Sequence, residues 1–327
     1  MNFIPIVNKS ELPPDSHKIF KLGPREIVLF NYNREITALG NICIHKGGPL
    51  GKGRIYYIGD ELCVECPWHG WQYNIKTGKA PGGYTDQQAK FEVKIEDDMI
   101  MVSEKPIINA KAAHHENADL ELLRNLHYET TPDSLNILGI STTNMNNKLP
   151  RSSTSEQALE LALELSQKEF GASTKLIKLR DLEFRACEGY YSLHEKACIW
   201  PCSITDANPK DGMTEVYKAL ILWADVVLVA TPIRWGNASS LYYKMCERLN
   251  CVQNQITLHD KILIKNKIAG FIITGGQDNI QSVAGQMSTF FTELGFSFPP
   301  FNFVGWSRGW VSEDMEHNVE QFRKSLT

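Results

Sequence analysis

The sequence lacks several features that would point to a membrane, to nucleic acid or to secretion. It has no long run of Lys and Arg, and its formal net charge is −4, which argues against nucleic acid as the main partner because phosphate neutralisation needs clustered cations. The most apolar stretch, 219–233, contains Asp225 and Pro232 and is too short to span a bilayer. The first residues show no basic segment followed by an apolar one, so a soluble cytoplasmic protein is expected.

The eight cysteines also lack the regular spacing of a secreted disulfide framework. The chain has 327 residues, of which 43% are hydrophobic and 22% charged, and it is long enough for two globular domains. In a reducing compartment, cysteine clusters favour metal sites over disulfide bridges. The cysteines form three groups: Cys43, Cys63 and Cys66; Cys187, Cys198 and Cys202; and Cys246 with Cys251.

The two halves of the chain follow different patterns, and no internal repeat is present. Residues 1–104 alternate apolar and polar side chains between Gly, Pro, Asn and Asp turns, which predicts β-strands. Residues 105–133 are interpreted as a linker with a short helix. In residues 134–327 strand-like and helical runs alternate, which predicts a parallel sheet with helices on both faces. The predicted strands here are 135–140, 174–179, 226–230 and 268–273, and the predicted helices are 156–170, 213–223, 240–248 and 283–294.

Two short motifs each place one cysteine near one histidine. Cys43 and His45 are two positions apart, and after a gap of 20 residues Cys66 and His69 are three positions apart. Each pair lies in a turn where backbone N–H groups are available to a bound ion. The arrangement resembles the Rieske family of iron–sulfur domains over residues 1–104, and an all-β Rieske-type sandwich is expected there. The turns and their flanks add Gly47, Gly48, Pro67, Gly70, Trp71, Tyr73 and Gly78 to the resemblance.

The resemblance implies a ligand set. Cys43 and Cys66 would bind one iron, and His45 and His69 would bind the other, which gives a 2Fe–2S cluster. The same four residues also suit a zinc ion with two cysteine and two histidine ligands, so a zinc site stays open as the alternative.

The chain departs from the high-potential respiratory members of that family at three positions. Those members carry an extra cysteine on each arm, forming a disulfide, and a serine that donates a hydrogen bond to a cluster sulfur. Gly48, Trp68 and Trp71 stand at these positions here, while Tyr73 keeps one donor. Fewer hydrogen bonds to the reduced cluster predict a potential low in the Rieske range of about −150 to +300 mV. Cys63 is interpreted as a buried thiol.

Residues 229–239 end an apolar strand with Thr, Pro, an aromatic residue, Gly and Asn in close succession. This turn resembles that of the flavodoxin-like NAD(P)H-dependent FMN reductases, and the resemblance extends over about residues 134–310. It implies an α/β flavodoxin-like doubly wound parallel sheet that binds FMN at the carboxyl ends of its strands. In that family the turn lies against the flavin ring, and the positions carried over are Thr231, Pro232, Trp235, Gly236 and Asn237.

Two further loops are expected to complete the FMN site. The loop 139–144 corresponds to the place where the family binds the FMN phosphate, with hydroxyls and amides that lead to a helix N-terminus. A polar insertion follows, so either Ser141 and Thr143 or residues 152–155 hold the phosphate. The loop 274–278 follows a later strand, and Gly275 and Gly276 would flank the ring.

Three other features keep two interpretations each. Arg234 is either a partner of the reduced flavin or an ordinary surface residue. Some flavodoxin-like iron–sulfur flavoproteins carry a four-cysteine cluster motif in the region of 187–202. The three cysteines there either hold a second cluster, with His194 as a candidate for the fourth ligand, or are structural thiols. Cys246 and Cys251 flank a predicted helix end and are interpreted as structural.

The two resemblances fit one electronic scheme. NAD(P)H gives two electrons as a hydride, a Rieske cluster accepts one at a time, and FMN can take the hydride and release single electrons. We therefore expect an NAD(P)H-dependent oxidoreductase that passes electrons through FMN to a 2Fe–2S cluster and on to an oxygenase, a quinone or another redox protein. No catalytic acid or base is assigned, because hydride transfer between cofactors requires none.

Two alternatives stay open: a flavin-dependent quinone or small-molecule reductase, and a non-enzymatic Rieske electron carrier or redox sensor. The sequence does not distinguish NADH from NADPH. The resemblance to flavodoxin-like reductases implies a homo-oligomer.

Overall fold

The computed structural model describes residues 2–82, 84–112, 118–126, 134–145, 153–208, 210–275, 279–306 and 324. The chain divides into two compact units. The first comprises Met1–Glu116 and Gly189–Ala197, and the second comprises Asn117–Glu188 and Cys198–Thr327. Compared with the expected division at 104 and 133, the first unit also takes in a segment from the second half of the sequence.

The first unit is built from antiparallel β-sheets, as the alternating pattern predicts. Its strands are β1 (Phe3–Asn8), β2 (Ser16–Leu22), β3 (Arg25–Tyr32), β4 (Glu35–Gly40), β5 (Arg54–Ile58), β6 (Glu61–Glu65), β7 (Gln72–Asn74), β8 (Lys90–Phe91), β9 (Val93–Glu96) and β10 (Met99–Ser103). They form three sheets, in the orders β2-β3-β4-β8, β1-β10-β9 and β5-β6-β7.

Strand β3 separates two hydrophobic cores, because its side chains point alternately to opposite faces. Ile27 and Leu29 belong to one core, and Val28 and Phe30 belong to the other. The second core supports the two motifs: its buried members also include Leu39, Cys43, Leu50, Val64, Cys66, Tyr73 and Ile75.

The second unit contains a five-stranded parallel sheet with helices. Its strand order is the flavodoxin type, in which the first strand of the sheet lies between the second and the third. The prediction of a doubly wound parallel sheet is therefore confirmed. The strands, in the order in which they pair, are β12 (Ser173–Lys178), β11 (Asn136–Ser141), β13 (Val226–Pro232), β14 (Ile268–Thr274) and β15 (Phe303–Trp306).

The helices of this unit are α1 (Ala118–Asn125), α2 (Thr154–Phe170), α3 (Ser203–Ala207), α4 (Met213–Tyr217, continued by a π-helical stretch Lys218–Trp223), α5 (Ser240–His259) and α6 (Ile280–Leu294).

Helices cover both faces of this sheet. Leu159 and Leu163 of α2 pack on one face, whereas α4, α5 and α6 contribute to the larger core on the other. Strand β11, which pairs on both sides, is buried along its whole length. Gly139 allows α2 to approach this strand closely, since an added Cβ would lie 2.8 Å from a methyl carbon of Leu163. Gly171, at φ 63°, ends α2 as predicted.

Three elements of the second unit differ from the prediction: α5, β15 and the five-residue helix α3, which was not predicted. Helix α5 does not end at 248 but continues to His259, because no Gly or Pro interrupts it and Leu249 and Val252 are buried against the core. Cys246 and Cys251 therefore lie inside one helix. Strand β15 was not predicted, because it has only four residues, one of them Gly305, and pairs on one side with β14.

Among the helices that the structure describes, none combines the length and the apolar character that crossing a bilayer requires.

Candidate functional site

The two cysteine–histidine arms are closed by the same pair of backbone hydrogen bonds. In the first arm the amide of Cys43 donates to the carbonyl five residues later at 2.9 Å, and the amide of Gly47 donates back to the Cys43 carbonyl at 2.8 Å. In the second arm the corresponding bonds of Cys66 and Gly70 measure 2.7 and 3.0 Å. Gly47 and Gly70 have φ values of 86° and 71°, in the region that favours glycine. Two unrelated stretches of sequence thus form equivalent turns.

The two turns bring four donor atoms to one buried place. The thiols of Cys43 and Cys66 are buried, and the interaction between them shifts the pKa of each. The rings of His45 and His69 meet edge to face, with centroids 4.8 Å apart. The Nδ1 atoms of both rings are buried and make no hydrogen bond within the described residues, although each ring has other contacts. Two thiols and two buried ring nitrogens are the donor set of a Rieske 2Fe–2S cluster, so these residues fit the group.

A structural zinc site takes about four ligands around a single metal, whereas each iron of a Rieske cluster takes two protein ligands. Across the described part of the chain, no three His, Cys, Asp or Glu side chains are grouped so as to hold one metal ion.

Three residues at positions of departure from the respiratory members pack directly against these cysteines and histidines. Trp71 stacks on His45 with centroids 4.0 Å apart and planes 7° from parallel. An added Cβ at Gly48 would lie 2.6 Å from Cys66 Sγ and 2.9 Å from Trp68 Cγ. Gly48 is thus needed for the close approach of the two arms, and a larger residue there would displace a ligand.

The hydroxyl of Tyr73 lies 3.5 Å from Cys43 Sγ, where it can donate to a thiolate or to a cluster sulfur. The interaction with the Cys66 thiol, together with this hydroxyl, lowers the pKa of Cys43 to about 7, and the interaction with Cys43 raises the pKa of Cys66. Burial raises the pKa of Tyr73, which keeps its proton available for donation.

Residues Gly189–Ala197 lie against the second arm within the first unit. The carbonyl of Ala197 accepts a hydrogen bond from Nε2 of His69. Tyr190 meets the His69 ring edge-on at 5.5 Å, and His194 stacks on Trp68 at 4.7 Å. A histidine that donates from Nε2 presents an unprotonated Nδ1, which is the form that binds a metal. Sequence reasoning missed this segment, because 128 residues separate Ala197 from His69.

In the second unit, hydrogen bonds link the loops after β11 and β13. The Ser239 hydroxyl donates to the carbonyl of Thr142 at 2.5 Å, and the Asn144 side-chain amide donates to the Ser240 hydroxyl at 2.8 Å. Ser239 is also the N-cap of α5, since its hydroxyl accepts from the Tyr242 amide. The loop after β14 joins this group, because the backbone amide of Ile233 donates to the Thr274 carbonyl at 2.7 Å.

The residues expected to contact the flavin ring differ in exposure. Thr231 and Pro232 are buried, and the Thr231 hydroxyl accepts from the Ser239 amide at 3.0 Å. Trp235 and Asn237 are exposed, and Trp235 is 97% exposed. Gly275 permits close approach, since an added Cβ would lie 2.8 Å from Ile233 Cβ. Gly276 lies outside the described residues.

A two-residue turn carries Trp235 to the surface. Trp235 and Gly236 both have positive φ, 52° and 73°, and the flanking Arg234 and Asn237 exchange two backbone hydrogen bonds. This is the pattern of a tight hairpin turn, which explains the Gly. Asn279 donates to the Gly236 carbonyl and fixes the turn. The side chain of the exposed Arg234 donates a hydrogen bond to the neighbouring Ile233 carbonyl.

The two loops proposed for the FMN phosphate have different polar partners. Ser141 and Thr143 are buried, and the Ser141 hydroxyl donates to Glu156 at 2.7 Å. Glu156 also forms a two-point ion pair with Arg180 and accepts from Lys178 at 3.0 Å. Burial raises the pKa of Glu156, but the hydrogen bonds from Arg180, Ser141 and Lys178 lower it to about 2.

The second loop places hydroxyls at the start of a long helix. Ser153 precedes α2, and its hydroxyl lies 3.1 Å from that of Ser155. Ser153, Thr154 and Ser155 are all buried. The first turn of a 17-residue helix offers backbone N–H groups and a positive dipole end to an anion. Ser152 lies outside the described residues.

The fold and the two sites define a flavin reductase that also carries an iron–sulfur centre. Residues 136–311 match the family model of the NADPH-dependent FMN reductases, and residues 2–93 match the Rieske [2Fe-2S] domain. The chain belongs to the NADPH-dependent FMN reductase family, with a Rieske domain before the reductase domain. The two family models support an FMN-dependent oxidoreductase with a Rieske domain, and they confirm the expected cofactors, a 2Fe–2S cluster, FMN and NAD(P)H, at the level of the family.

Individual relatives match one half or the other. Human apoptosis-inducing factor 3 is 41% identical over 85 residues, which cover 25% of this chain but only 13% of that protein. The ferredoxin subunit of 3-phenylpropionate/cinnamic acid dioxygenase from Photorhabdus laumondii is 31% identical over 28% of this chain and 86% of its own length. A crystal structure of RosB with bound 8-demethyl-8-formylriboflavin-5′-phosphate is 21% identical over 59% of this chain and 82% of its own, with a TM-score of 0.41.

The cluster assignment predicts different outcomes for two cysteines only three positions apart. Cys66→Ser removes a ligand, so we expect the iron content of the purified protein to fall from about two atoms per chain to near zero, with loss of the cluster's visible absorption. Cys63→Ser is the matched control. Cys63 is fully buried and burial raises its pKa to about 11, as expected of a thiol outside the cluster. Equal iron loss in both variants would contradict the assignment.

The Glu156 network predicts a pH-dependent contribution to stability. A carboxylate whose pKa falls from 4.5 to about 2 on folding stabilises the protein above pH 4.5, and this contribution is lost as the pH falls towards 2. Glu156→Gln is therefore expected to lower the free energy of unfolding at pH 7, and the difference from the parent should shrink below pH 4.5. Denaturant unfolding across this range measures it, with the exposed Glu169→Gln as control. A difference that is constant with pH would refute the network's role.

Proposed function

We propose that this chain passes electrons internally, from NAD(P)H through FMN to the 2Fe–2S cluster, and delivers them to an acceptor of the oxygenase type. When bound, FMN accepts a hydride and gives up electrons singly, so it connects a two-electron donor to a one-electron centre. The observation that carries the internal route is the placement of Gly189–Ala197 in the cluster unit. A segment that lies between β12 and α3 in the sequence contacts a cluster ligand.

The chemistry of that contact supports the proposal. The Ala197 carbonyl holds the His69 ring through Nε2, and the next residue, Cys198, already belongs to the second unit. The hydrogen bond therefore links a cluster ligand to the backbone of the segment that continues into the reductase sequence. Tyr190 and the Trp68–His194 stack pack beside it and restrict the motion of the His69 ring. A fixed ligand reduces the reorganisation that accompanies each change of cluster charge.

The proposed acceptor follows from a relative and from electron counting. The Photorhabdus protein that the chain covers over 86% of its length is named as a dioxygenase ferredoxin subunit. A 2Fe–2S centre delivers single electrons, which suits an oxygenase with its own metal centre better than a quinone that takes a hydride directly from a flavin.

Within the flavin site, we propose that Ser153 and Ser155 at the start of α2 bind the FMN phosphate. The Ser141 hydroxyl is engaged by Glu156, whose carboxylate would repel a phosphate placed against it. The ring is proposed to lie against the loop of Thr231 and Pro232, with Trp235 covering it; Thr143, Gly236, Asn237, Gly275 and Gly276 stay predictions for the same site.

The internal route is tested by adding one equivalent of NADPH to the oxidised protein without oxygen. We expect the flavin absorption to bleach first and the cluster absorption second, with the electron paramagnetic resonance signal of a reduced Rieske centre. The rate of the second phase should not depend on protein concentration, because the transfer is intramolecular. A cluster that stays oxidised, or a rate proportional to concentration, would refute the route.

Two variants separate the steps of that experiment. His194→Ala removes the ring that stacks on Trp68 and should slow the second phase alone, whereas the exposed His259→Ala should change neither phase.

With an external acceptor, the cluster-free Cys66→Ser variant should keep quinone reduction but lose reduction of a one-electron protein such as cytochrome c. If Cys66→Ser reduces both acceptors normally, the chain acts as a direct flavin reductase.

The phosphate site is tested through FMN affinity. Ser155→Ala removes a hydroxyl donor to a charged group, worth about 1.5–3 kcal/mol, so the Kd of FMN should rise about 10- to 100-fold. Ser297→Ala is the control, since Ser297 pairs with the start of β14 at the opposite end of the sheet. Affinity should be measured by fluorescence titration of the apoprotein. If Ser141→Ala weakens FMN and Ser155→Ala does not, the phosphate lies in the first loop.

A further inference from the structure

A short segment between β12 and α3 covers one of the two histidines of the cluster site. Gly189–Ala197 belongs to the first unit, and the Ala197 carbonyl accepts a hydrogen bond from Nε2 of His69. Both residues of this hydrogen bond are buried. The segment contains two single 3₁₀ turns, Tyr190–Ser192 and Glu195–Ala197, and such short turns are weak structures by themselves. The groups that hold the ends of the segment therefore help to fix the direction of the carbonyl.

Two asparagines of α5 hold the residue that follows this segment. The Asn254 side-chain amide donates to the Cys198 carbonyl at 3.2 Å, and the Asn250 side-chain amide donates to Cys198 Sγ at 3.3 Å. The two asparagines are four positions apart and share a face of the helix. The Ala197 carbonyl belongs to the planar peptide unit that ends at the Cys198 nitrogen. A contact that fixes Cys198 at two points therefore restricts the orientation of that carbonyl.

The same helix holds the chain before the segment. Arg248 is 1% exposed, and its Nη1 donates to the Arg185 carbonyl at 2.7 Å. Its Nη2 donates to the Thr205 hydroxyl at 2.7 Å and pairs with the buried Asp211. Removing one partner of such a buried ion pair leaves a charge uncompensated, so the group resists displacement. Residues 186–197 thus run between two backbone carbonyls that side chains of α5 hold.

We propose that Asn254 is a positioning residue for the cluster ligand His69. It acts through Cys198 and the Ala197 carbonyl, and this role rests on the proposed function, in which His69 binds one iron. A carbonyl that accepts from Nε2 makes Nδ1 of the same ring a stronger electron donor to the metal, which stabilises the oxidised form of the cluster. Without the Asn254 amide the carbonyl is less well aligned, and the balance moves towards the reduced form.

A purely structural role for Asn254 predicts a different pattern of effects. Ser239, the N-cap of α5, belongs to the loops of the flavin site, and Asn254 lies about 22 Å further along the helix at 1.5 Å per residue. A general loss of helix stability would weaken FMN binding as well as disturb the cluster. A positioning role changes the cluster alone, because the flavin loops keep their own hydrogen bonds.

The test measures the reduction potential of the cluster in the full holoprotein, titrated with dithionite and followed by electron paramagnetic resonance. Asn254→Leu keeps the approximate size of the side chain but removes its amide, so we expect the potential to rise. The equilibrium constant for reduction should increase about three- to tenfold, the upper value being about 59 mV for a one-electron couple. The nitrogen couplings of one histidine should change in pulsed spectra, and the Kd of FMN should not.

The matched control is Gln253→Leu, which removes a side-chain amide at the adjacent position of α5 and should leave the potential unchanged. Asn250→Ala removes the second contact to Cys198 and should raise the potential by a smaller amount. Circular dichroism, iron content and FMN content are recorded for each variant. If Asn254→Leu does not fold, the potential of the Asn250→Ala protein decides the question.

Two results would overturn the proposal. One is a potential equal to the parent's, with unchanged nitrogen couplings, in a folded variant that retains two irons per chain. The other is an equal rise in Gln253→Leu. Failure of the proposed electron route gives a separate result, because the parent's cluster would then stay oxidised with NADPH while dithionite still reduces it and still reveals the shift in Asn254→Leu.

Discussion

The cluster site depends on the close approach of its two turns. Gly48 and the Cys66 sulfur lie so near that no side chain fits between them, and Trp68 closes the remaining space. This contact keeps the two turns close together, and each turn is closed by the same pair of backbone hydrogen bonds. A two-iron centre needs paired donors from two places in the chain, and each turn alone supplies one sulfur and one nitrogen. The core beneath the turns holds both in position.

In the reductase domain, a few hydrogen bonds hold the loops at the carboxyl ends of the strands together. Its parallel strands end at one edge, and the loops from that edge bond one another through Ser239, Thr142 and Asn144. Buried hydroxyls and backbone amides, rather than charged side chains, link these loops. Charge enters at Glu156, whose carboxylate pairs with Arg180 and Lys178 and accepts a hydrogen bond from Ser141.

Much of this organisation could be predicted from the sequence, because the signals are local. The Cys-x-His and Cys-x-x-His spacings, the turn glycines and the alternation of strands and helices each depend on neighbouring residues. The predictions failed where long-range packing decided the outcome. Helix α5 extends to His259 because Leu249 and Val252 are buried in the core, and no local signal places Ala197 beside His69. Likewise the ion pairs of Glu156 with Arg180 join elements 24 residues apart.

The discontinuous first unit limits how such a chain can be divided. The sequence leaves that unit near residue 116, returns for nine residues, Gly189–Ala197, and leaves again. A fragment that stops at residue 116 keeps all four ligands but loses the backbone acceptor for His69 and the ring that covers Trp68. A Rieske half that keeps these two contacts therefore has to include residues 189–197, which lie more than 70 positions further along the chain than residue 116.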